Sequence, residues 1–303
     1  MDVLSDVLSK VKLKSVFYFN HLFAKPWGMD VGSGSNAQFH IVVEGSCTVK
    51  YDGGCKRLDS GGIVLFPKGS PHIVSDGSTD RLRDGREVVA EIINGTCPNQ
   101  KGETRLVCGH FEFDQNFNHP LIQHLPSIII LNEVTSFQLN SLKSILHLIH
   151  LETQDKKQGS DAIVAKLGEV LFVNAIREYA VSRRSNFVHG IMDSRLANVL
   201  KEIHEAPHFD WKVNSLSKIA GMSRTGFLQK FKTLIGDTPY NYIKGWRMII
   251  AKELLENSNY SIQEVAEKVG YESSASFVRV FKEYTETTPN QFRKAHAGKT
   301  ALS

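Results

Sequence analysis

Four residues in the N-terminal half have types and spacing that could bind a metal ion: His40, His72, Cys108 and His110. Zn²⁺ accepts imidazole nitrogen and thiolate sulfur as ligands, and Cys108 and His110 lie two apart on one predicted strand, hence on one face of it. A metal-dependent enzyme is therefore one hypothesis. In the alternative, which we favour, the histidines are partly buried and hydrogen-bonded to the backbone, and Cys108 is a small apolar residue. We accordingly expect no cofactor.

A second set of polar residues lies on two predicted helices that repeat one motif, in which Phe227 and Phe231 recur as Phe277 and Phe281. Steps of about 100° per residue place polar side chains on the helix face opposite the phenylalanines. Side chains so placed can contact the base edges and phosphates of DNA. The residues expected to do so are Arg224, Thr225, Gln229 and Lys232 in the first helix and Ser274, Ala275, Ser276, Arg279 and Lys282 in the second.

The side-chain types assign roles within these two sets. Gln229 can pair with N6 and N7 of adenine, Arg279 with O6 and N7 of guanine, and Ala275 can contact a thymine methyl group. Lys232 and Lys282 come later on their helices, where a phosphate contact is expected. Because the two sets differ, the predicted DNA site is asymmetric, with two dissimilar half-elements about one helical turn apart.

The elements that position these residues are two helix-turn-helix units, predicted at about 213–232 and 261–282. Each needs a glycine where the backbone turns sharply between its helices, and Gly221 and Gly270 stand at the matching places. A helix over 238–257, begun by the Thr-Pro pair, is predicted between the units. At 1.5 Å per residue it makes a rod of roughly 27 Å, close to the pitch of B-DNA.

The chain from Ser15 to Phe113 is rich in β-branched and aromatic residues broken by Gly and Pro, which predicts a small antiparallel barrel or jelly roll. Strands are predicted at 15–23, 38–43, 46–51, 62–66, 72–75, 87–93 and 104–113, with a hairpin turn at 52–54 and no intervening helices. Two apolar helices, 136–154 and 160–183, follow. They either close the barrel or pair with a second copy of the chain, and we favour pairing.

The fold class expected is a multidomain α+β chain. Its predicted parts are a small β-barrel over residues 1–134, a helical dimerisation or barrel-closing segment over 135–183, a polar linker over 184–192, and an all-α tandem helix-turn-helix domain over 193–303.

Composition and charge fit this organisation. The 303 residues are 41% hydrophobic and 22% charged, as in globular proteins of about two domains. The net charge is +4, and the whole surplus lies from Asp193 onward. Its densest part, from Trp211 to Gly236, has no acidic residue and five basic ones, the pattern expected of phosphate contact: Lys212, Lys218, Arg224, Lys230 and Lys232.

Several protein classes are disfavoured. No run approaches the roughly 20 apolar residues of a membrane span, and the N-terminus, with Asp2 and Asp6, does not resemble a secretory signal. The cysteines show no zinc-finger spacing and are expected to be reduced thiols. We therefore expect a cytoplasmic protein that does not contact membranes.

The C-terminal third resembles the DNA-binding domain of the AraC/XylS family of bacterial transcription regulators. The residues that carry this resemblance are Trp211, Ile219 to Ser223, Phe227, Phe231-Lys232, Gly236, Thr238-Pro239, Tyr242, Trp246 to Met248, Ala251, Leu254-Leu255, Val265-Ala266, Val269 to Ser273, Phe277, Phe281-Lys282, Pro289 and Arg293. The N-terminal half resembles, more loosely, the cupin-like domain of one branch of that family, through Trp27-Gly28, His40, Gly45, Gly61-Gly62, Pro67, Gly69, His72, Cys108-Gly109, His119 to Leu121 and Leu125-Pro126.

This resemblance implies a transcription regulator, more often an activator, that binds promoter DNA, works with RNA polymerase, binds a small effector in the cupin-like domain and forms a homodimer. The candidate effector-pocket residues are Trp27, His40, Cys47 and His72. The second helix of each helix-turn-helix unit, which carries the expected DNA contacts, is called its reading helix. Three positions depart from the family pattern: Ser217 replaces Ala, Gly226 lies inside the first reading helix, and Glu286 replaces the Gly that matches Gly236.

Two alternatives stay open. One is a cupin-type metal-dependent enzyme, although positions 38 and 42, where such enzymes have the other histidine of the first motif, are Gln and Val. The other is a ligand sensor whose helical domain binds a protein partner.

Overall fold

The structure, a computed structural model, describes residues 2–97, 102–113, 124–131, 136–155, 157–182 and 187–296. The chain forms two compact units. The β unit comprises Val11–Asp114 and Leu125–Ser182; the helical unit comprises Met1–Lys10, Gln115–His124 and Arg183–Ser303. The N-terminal residues thus belong to the helical unit, whereas the sequence analysis placed them with the barrel. The predicted boundaries at 134/135 and 183/184, and the motif residues His119 to Leu121, lie outside the described residues.

The described part of the β unit contains two five-stranded sheets. Its strands are β1 Lys14–Phe23, β2 Gly28–Val31, β3 Ala37–Glu44, β4 Ser46–Tyr51, β5 Gly54–Asp59, β6 Ile63–Phe66, β7 His72–Ser75, β8 Arg83–Asp84, β9 Thr104–Glu112 and β10 Ile129–Leu131. The sheet orders are β1-β9-β3-β6-β10 and β5-β4-β7-β2-β8, antiparallel except for the β2/β8 pair. Apolar side chains from both sheets, such as Phe19, Val42, Val49 and Val74, share one core. The predicted cupin-like architecture is confirmed.

One predicted strand, at 87–93, is wrong, and with it the expectation of no intervening helix. These residues belong to helix α2, Gly85–Ile93, whose N-cap Asp84 accepts a hydrogen bond from Arg86 N. Val88 and Ile92, four residues apart, both contact the core. β-Branched residues favour strands only weakly, and packing of one helical face prevails here. Strands β2, β5, β8 and β10 are not among the predicted strands. The hairpin at 52–54 is confirmed by the β4/β5 pairing, with φ of 111° at Gly53.

The two apolar helices are α3, Ser136–Asp155, and α4, Ser160–Ser182. Helix α4 packs on β1: Ser15 Oγ donates to the carbonyl of Ala165 at 2.7 Å, and a Cβ on Gly168 would lie 2.2 Å from Ser15 Oγ. This helix therefore covers the β unit, as the barrel-closing interpretation requires. Ile163 and Val170 on α4 are each 46% exposed, so pairing with a second copy stays a prediction.

The helices of the helical unit are α1 Val3–Val11, α5 Phe187–Met192, α6 Ser194–Glu205, α7 Val213–Ile219, α8 Arg224–Ile235, α9 Pro239–Asn257, α10 Ile262–Lys268, α11 Ser274–Thr285 and α12 Pro289–His296. The prediction of a linker at 184–192 is wrong from residue 187 onward, because α5 forms there and buries Phe187, Val188 and Ile191 on one face. Residues 184–186 lie outside the described ranges. None of the helices in the described ranges combines the length and apolar character that crossing a bilayer requires.

Helix α1 joins the helical unit through charged contacts. Asp6 Oδ2 lies 2.8 Å from Nδ1 of His204 on α6, and His204 Nε2 lies 2.8 Å from the hydroxyl of Tyr242 on α9. Lys10 Nζ donates to Glu253 at 2.6 Å. The apolar periodicity of Val3, Leu4, Val7 and Val11 indicates an amphipathic helix but carries no information about its partner.

Candidate DNA-binding surface and ligand cavity

The first helix-turn-helix unit consists of α7 and α8. Gly221 turns the chain between them with a φ of 61°, a left-handed conformation that favours glycine. Ser223 caps α8 by accepting a hydrogen bond from Gly226 N at 3.2 Å. Phe227 and Phe231 are fully buried, with their rings 5.6 Å apart. The predicted inner face of α8 is confirmed, and its opposite face points away from this core.

The four residues that were predicted as DNA contacts in α8 are all exposed: Arg224, Thr225, Gln229 and Lys232. Within the described residues, none of these side chains has a hydrogen bond or an ion pair, so their donors are available. Two other basic residues of the strip are neutralised, Lys212 by Asp210 and Lys230 by Asp193, each at 2.7 Å. The positive potential of this surface therefore rests on Lys218, Arg224 and Lys232.

The second unit, α10 and α11, repeats this construction. Ser261 and Glu264 form a capping box, since Glu264 N donates to Ser261 Oγ at 3.2 Å and Ser261 N to Glu264 Oε2 at 2.7 Å. Gly270 makes the turn with a φ of 82°, and Phe277 and Phe281 are fully buried. The repeated motif is therefore a repeated structure.

The predicted contact residues of α11 fall into two groups. Ala275, Arg279 and Lys282 are exposed, and neither basic side chain has an ion pair among the described residues. Ser274 and Ser276 are half-buried, and Ser276 Oγ donates to the carbonyl of Ser273 at 3.0 Å. Ser276 therefore has its hydroxyl proton occupied in the first helical turn. That any of these residues touches DNA stays a prediction.

Helix α9 lies between the two units, and Arg247 in its middle connects them. Its guanidinium donates to three backbone carbonyls: Pro207 at 2.7 Å and Phe209 at 3.0 Å, which precede α7, and Gly270 at 3.1 Å, in the turn of the second unit. A Cβ on Gly270 would lie 2.8 Å from Arg247 Nη2. Arg247 belongs to the family motif, but this linking role was not predicted from the sequence. The one feature of the sequence that could have indicated this role is the charge of Arg247 within an otherwise apolar stretch of the helix.

The β unit contains a cavity of about 400 Å³ bounded by β1, β2, β3, β9 and α2. Apolar walls come from Phe19 and Val89, and polar groups from Tyr18, Gln38 and Arg86. Gln38 Oε1 is buried without a hydrogen-bond partner among the described residues. A cavity with apolar walls and a few polar groups is typical of small-molecule sites.

His40 also lines this cavity, as the middle of a hydrogen-bonded chain. Its Nδ1 lies 3.0 Å from Cys108 Sγ and its Nε2 lies 2.7 Å from His72 Nε2, while His72 Nδ1 lies 2.8 Å from the carbonyl of Ser70. Burial lowers the pKa of His40 well below its usual value and that of His72 to about 4, and burial raises the pKa of the Cys108 thiol. All three groups are therefore neutral at pH 7.

The four metal-ligand candidates do not converge on one point. Cys108 and His72 contact different nitrogens of the His40 ring, and His110 instead lies 3.1 Å from Glu112. Among the described residues, no group of three or more His, Cys, Asp or Glu side chains is placed to hold a metal ion.

The effector-pocket candidates are spread over the β unit. His40 lines the large cavity, and Trp27 lines a smaller one of about 180 Å³. Cys47 lies in the core, and His72 stacks on Phe66 with ring centroids 3.6 Å apart. Tyr18, Gln38 and Arg86 line the large cavity and were not predicted as pocket residues. Of these three residues, only Gln38 could have been predicted to line the same pocket as His40, because it lies two residues before His40 and so on the same strand face.

Two family models match the chain: a Cupin model over residues 2–180 and a Helix-turn-helix domain model over residues 216–295. The chain is 30% identical to the HTH-type transcriptional regulator AlkR of Acinetobacter baylyi, over 97% of this chain and 99% of that protein. It is 28% identical to the HTH-type transcriptional regulator MtrA of Neisseria gonorrhoeae, over 84% and 85%. It is 26% identical to the RCS-specific HTH-type transcriptional activator RclR of Escherichia coli, over 97% and 98%.

Proposed function

The chain belongs to the AraC/XylS family of transcription regulators, in the branch with an N-terminal cupin domain, and we propose that it reads promoter DNA with α8 and α11 under the control of a small effector. The regulatory function follows from the family. The assignment of DNA contacts, effector and assembly is our proposal.

The observation that carries the DNA-binding proposal is the contrast between the two faces of each reading helix. The inner faces share a buried phenylalanine pair, whereas the outer faces expose different residues, Gln229 in α8 and Arg279 in α11. Both outward side chains are without partners in the described part of the chain. An amide favours adenine and a guanidinium favours guanine, so the two units read different half-elements. Lys232 and Lys282 contact the flanking phosphates.

The effector enters the β unit at the cavity of about 400 Å³. The buried Gln38 Oε1 lacks a donor there, so the effector supplies one, such as a hydroxyl or amino group. Its apolar part lies against Phe19 and Val89. The neutral state of His40 fits an uncharged effector.

The complete assembly is a homodimer that pairs through α3 and α4, activates transcription with RNA polymerase and acts in the cytoplasm. The exposed Ile163 and Val170 support this use of α4. No resident cofactor is part of the proposal. No observation on the described residues favours an enzymatic role or a protein partner for the helical unit.

Selection of random DNA duplexes by the full chain tests the proposal. We expect an enriched asymmetric motif with two unlike half-elements about 10 base pairs apart, and an affinity that falls steeply as salt rises. Enrichment of no motif, or of a symmetric element read by one unit, would contradict it. Binding to a protein partner with no affinity for any duplex would instead favour the sensor alternative.

A further inference from the structure

The smaller cavity of the β unit, about 180 Å³, has a chemistry of its own. Its lining shares only Met29 with the larger cavity among the described residues. Apolar walls come from Leu22, Phe23 and Val88, while Trp27 and Arg81 bring polar groups. The two cavities are therefore different candidate sites.

Trp27 supplies a buried donor that has no acceptor. The side chain is 7% exposed, and its Nε1 has no hydrogen-bond partner among the described residues. The residue is held in place, because its ring stacks on Phe23 at 4.9 Å and its backbone N donates to Asp76 at 3.0 Å. An indole N–H can only donate, so the missing partner must be an acceptor. Buried donors without acceptors are rare because they cost free energy.

The residues that line the cavity leave one uncompensated positive charge. Arg83 is paired with Glu91, whereas the Arg81 guanidinium has no ion pair within the described ranges. Burial lowers the pKa of His21, which is therefore neutral at pH 7, and burial raises the pKa of Cys97, which stays a thiol. Arg81 is thus the uncompensated charge that faces the cavity.

We propose that this cavity is a second ligand site, which binds a small monocarboxylate. The carboxylate accepts hydrogen bonds from the Trp27 indole N–H and from Arg81. The short apolar part lies against Leu22 and Val88. One negative charge and one short chain match the single uncompensated arginine and the small volume better than a multiply charged inorganic anion would.

Selective ¹⁵N labelling of tryptophan in the full chain gives a direct readout. The chain has three tryptophans, Trp27, Trp211 and Trp246, hence three indole N–H signals, and Trp27→Phe identifies the one that belongs to the cavity. Butyrate is the probe, and butyramide is the uncharged control of the same size. We expect butyrate to move the Trp27 signal to saturation, and the other two signals to stay fixed.

Two arginine variants locate the binding. Arg81 is exposed, so Arg81→Gln should leave the Trp211 and Trp246 signals in place and weaken butyrate binding about tenfold or more, the loss expected for a charge-assisted hydrogen bond. Arg86→Gln is the matched control, because Arg86 lines only the larger cavity, and it should leave butyrate binding unchanged.

The proposal is overturned by a Trp27 signal that butyrate does not move, by an equal response to butyramide, by a response to inorganic phosphate alone, or by sensitivity to Arg86→Gln in place of Arg81→Gln. Sensitivity to Arg86→Gln would place butyrate in the larger cavity, whereas the other results leave that cavity untested. None of these results bears on DNA binding, so the DNA-binding proposal stands or fails separately.

Discussion

The two helix-turn-helix units of this chain share their inner construction and differ on their outer faces and at their ends. Both have a left-handed glycine in the turn, a serine N-cap and a buried phenylalanine pair. They differ at the third residue of the reading helix, Gly226 against Ser276, and at its C-cap, Gly236 against Glu286. Within one molecule, the buried positions of the two units are alike while the exposed positions differ.

Arg247→Met should have the largest effect, because it removes the hydrogen bonds that hold both units to α9. Three carbonyls lose a charged donor, and we expect the free energy of unfolding of the helical unit to fall by about 2–4 kcal/mol. Urea titration measures this loss. Affinity for the complete DNA site should fall more than affinity for either half-element alone, because the spacing of the units is no longer fixed.

Arg195→Met is the matched control for that change, since Arg195 is exposed on α6 and makes no ion pair among the described residues. It should alter neither stability nor the preference for the complete site. Equal losses in the two variants would show that Arg247 does not link the units.

Arg279→Ala should change the DNA recognition of the second unit without changing its fold. We expect a loss of about 1–3 kcal/mol in affinity at one base pair, with relaxed preference there. Lys232→Ala, which removes a proposed phosphate contact, should weaken binding to all sequences alike and lower the salt dependence. Fluorescence anisotropy on single-base variants of the selected site distinguishes the two. Uniform losses in both variants would contradict the assigned roles.

Glu286→Gly should make the C-cap of α11 like that of α8. Glu286 has a φ of 63°, a left-handed conformation that costs a residue with a Cβ about 1–2 kcal/mol, whereas glycine adopts it freely. After the entropy cost of glycine, we expect a gain of about 1 kcal/mol in the free energy of unfolding. Urea titration measures it.

Gly236→Ala is the reverse exchange in α8, and it should cost more than Glu286→Gly gains. Gly236 has a φ of 83°, and a Cβ there would lie 2.6 Å from Nε2 of His124. A stabilising Gly236→Ala, or an unchanged Glu286→Gly, would show that backbone strain does not distinguish the two caps.

The features of the fold and of the candidate site that could be predicted from the sequence are those that depend on local interactions. The inner faces of the reading helices depend on residues three or four positions apart, and the family on motifs that can be found directly in the sequence; both are confirmed. Helix α2, the buried helix at Phe187 and the three bonds of Arg247 depend on partners far away in the chain. Periodicity carries no information about such partners. The cavity at Gln38 was missed for the same reason, because its walls come from separate strands and a helix.

Gly226→Ala should have the smallest effect, and its sign tests how far the repeat extends. Alanine within a helix is favoured over glycine by up to about 1 kcal/mol. A Cβ at Gly226 would lie 3.1 Å from Ser223 Oγ, a tight contact, so we expect a net gain of about 0.5 kcal/mol in the free energy of unfolding. The second unit supports this sign, because Ser276 carries a side chain at the same place while Ser273 still caps its amide at 3.2 Å. A loss of stability would mean that the cap of α8 tolerates only glycine and that the two units differ in their first turn as well as on their reading faces.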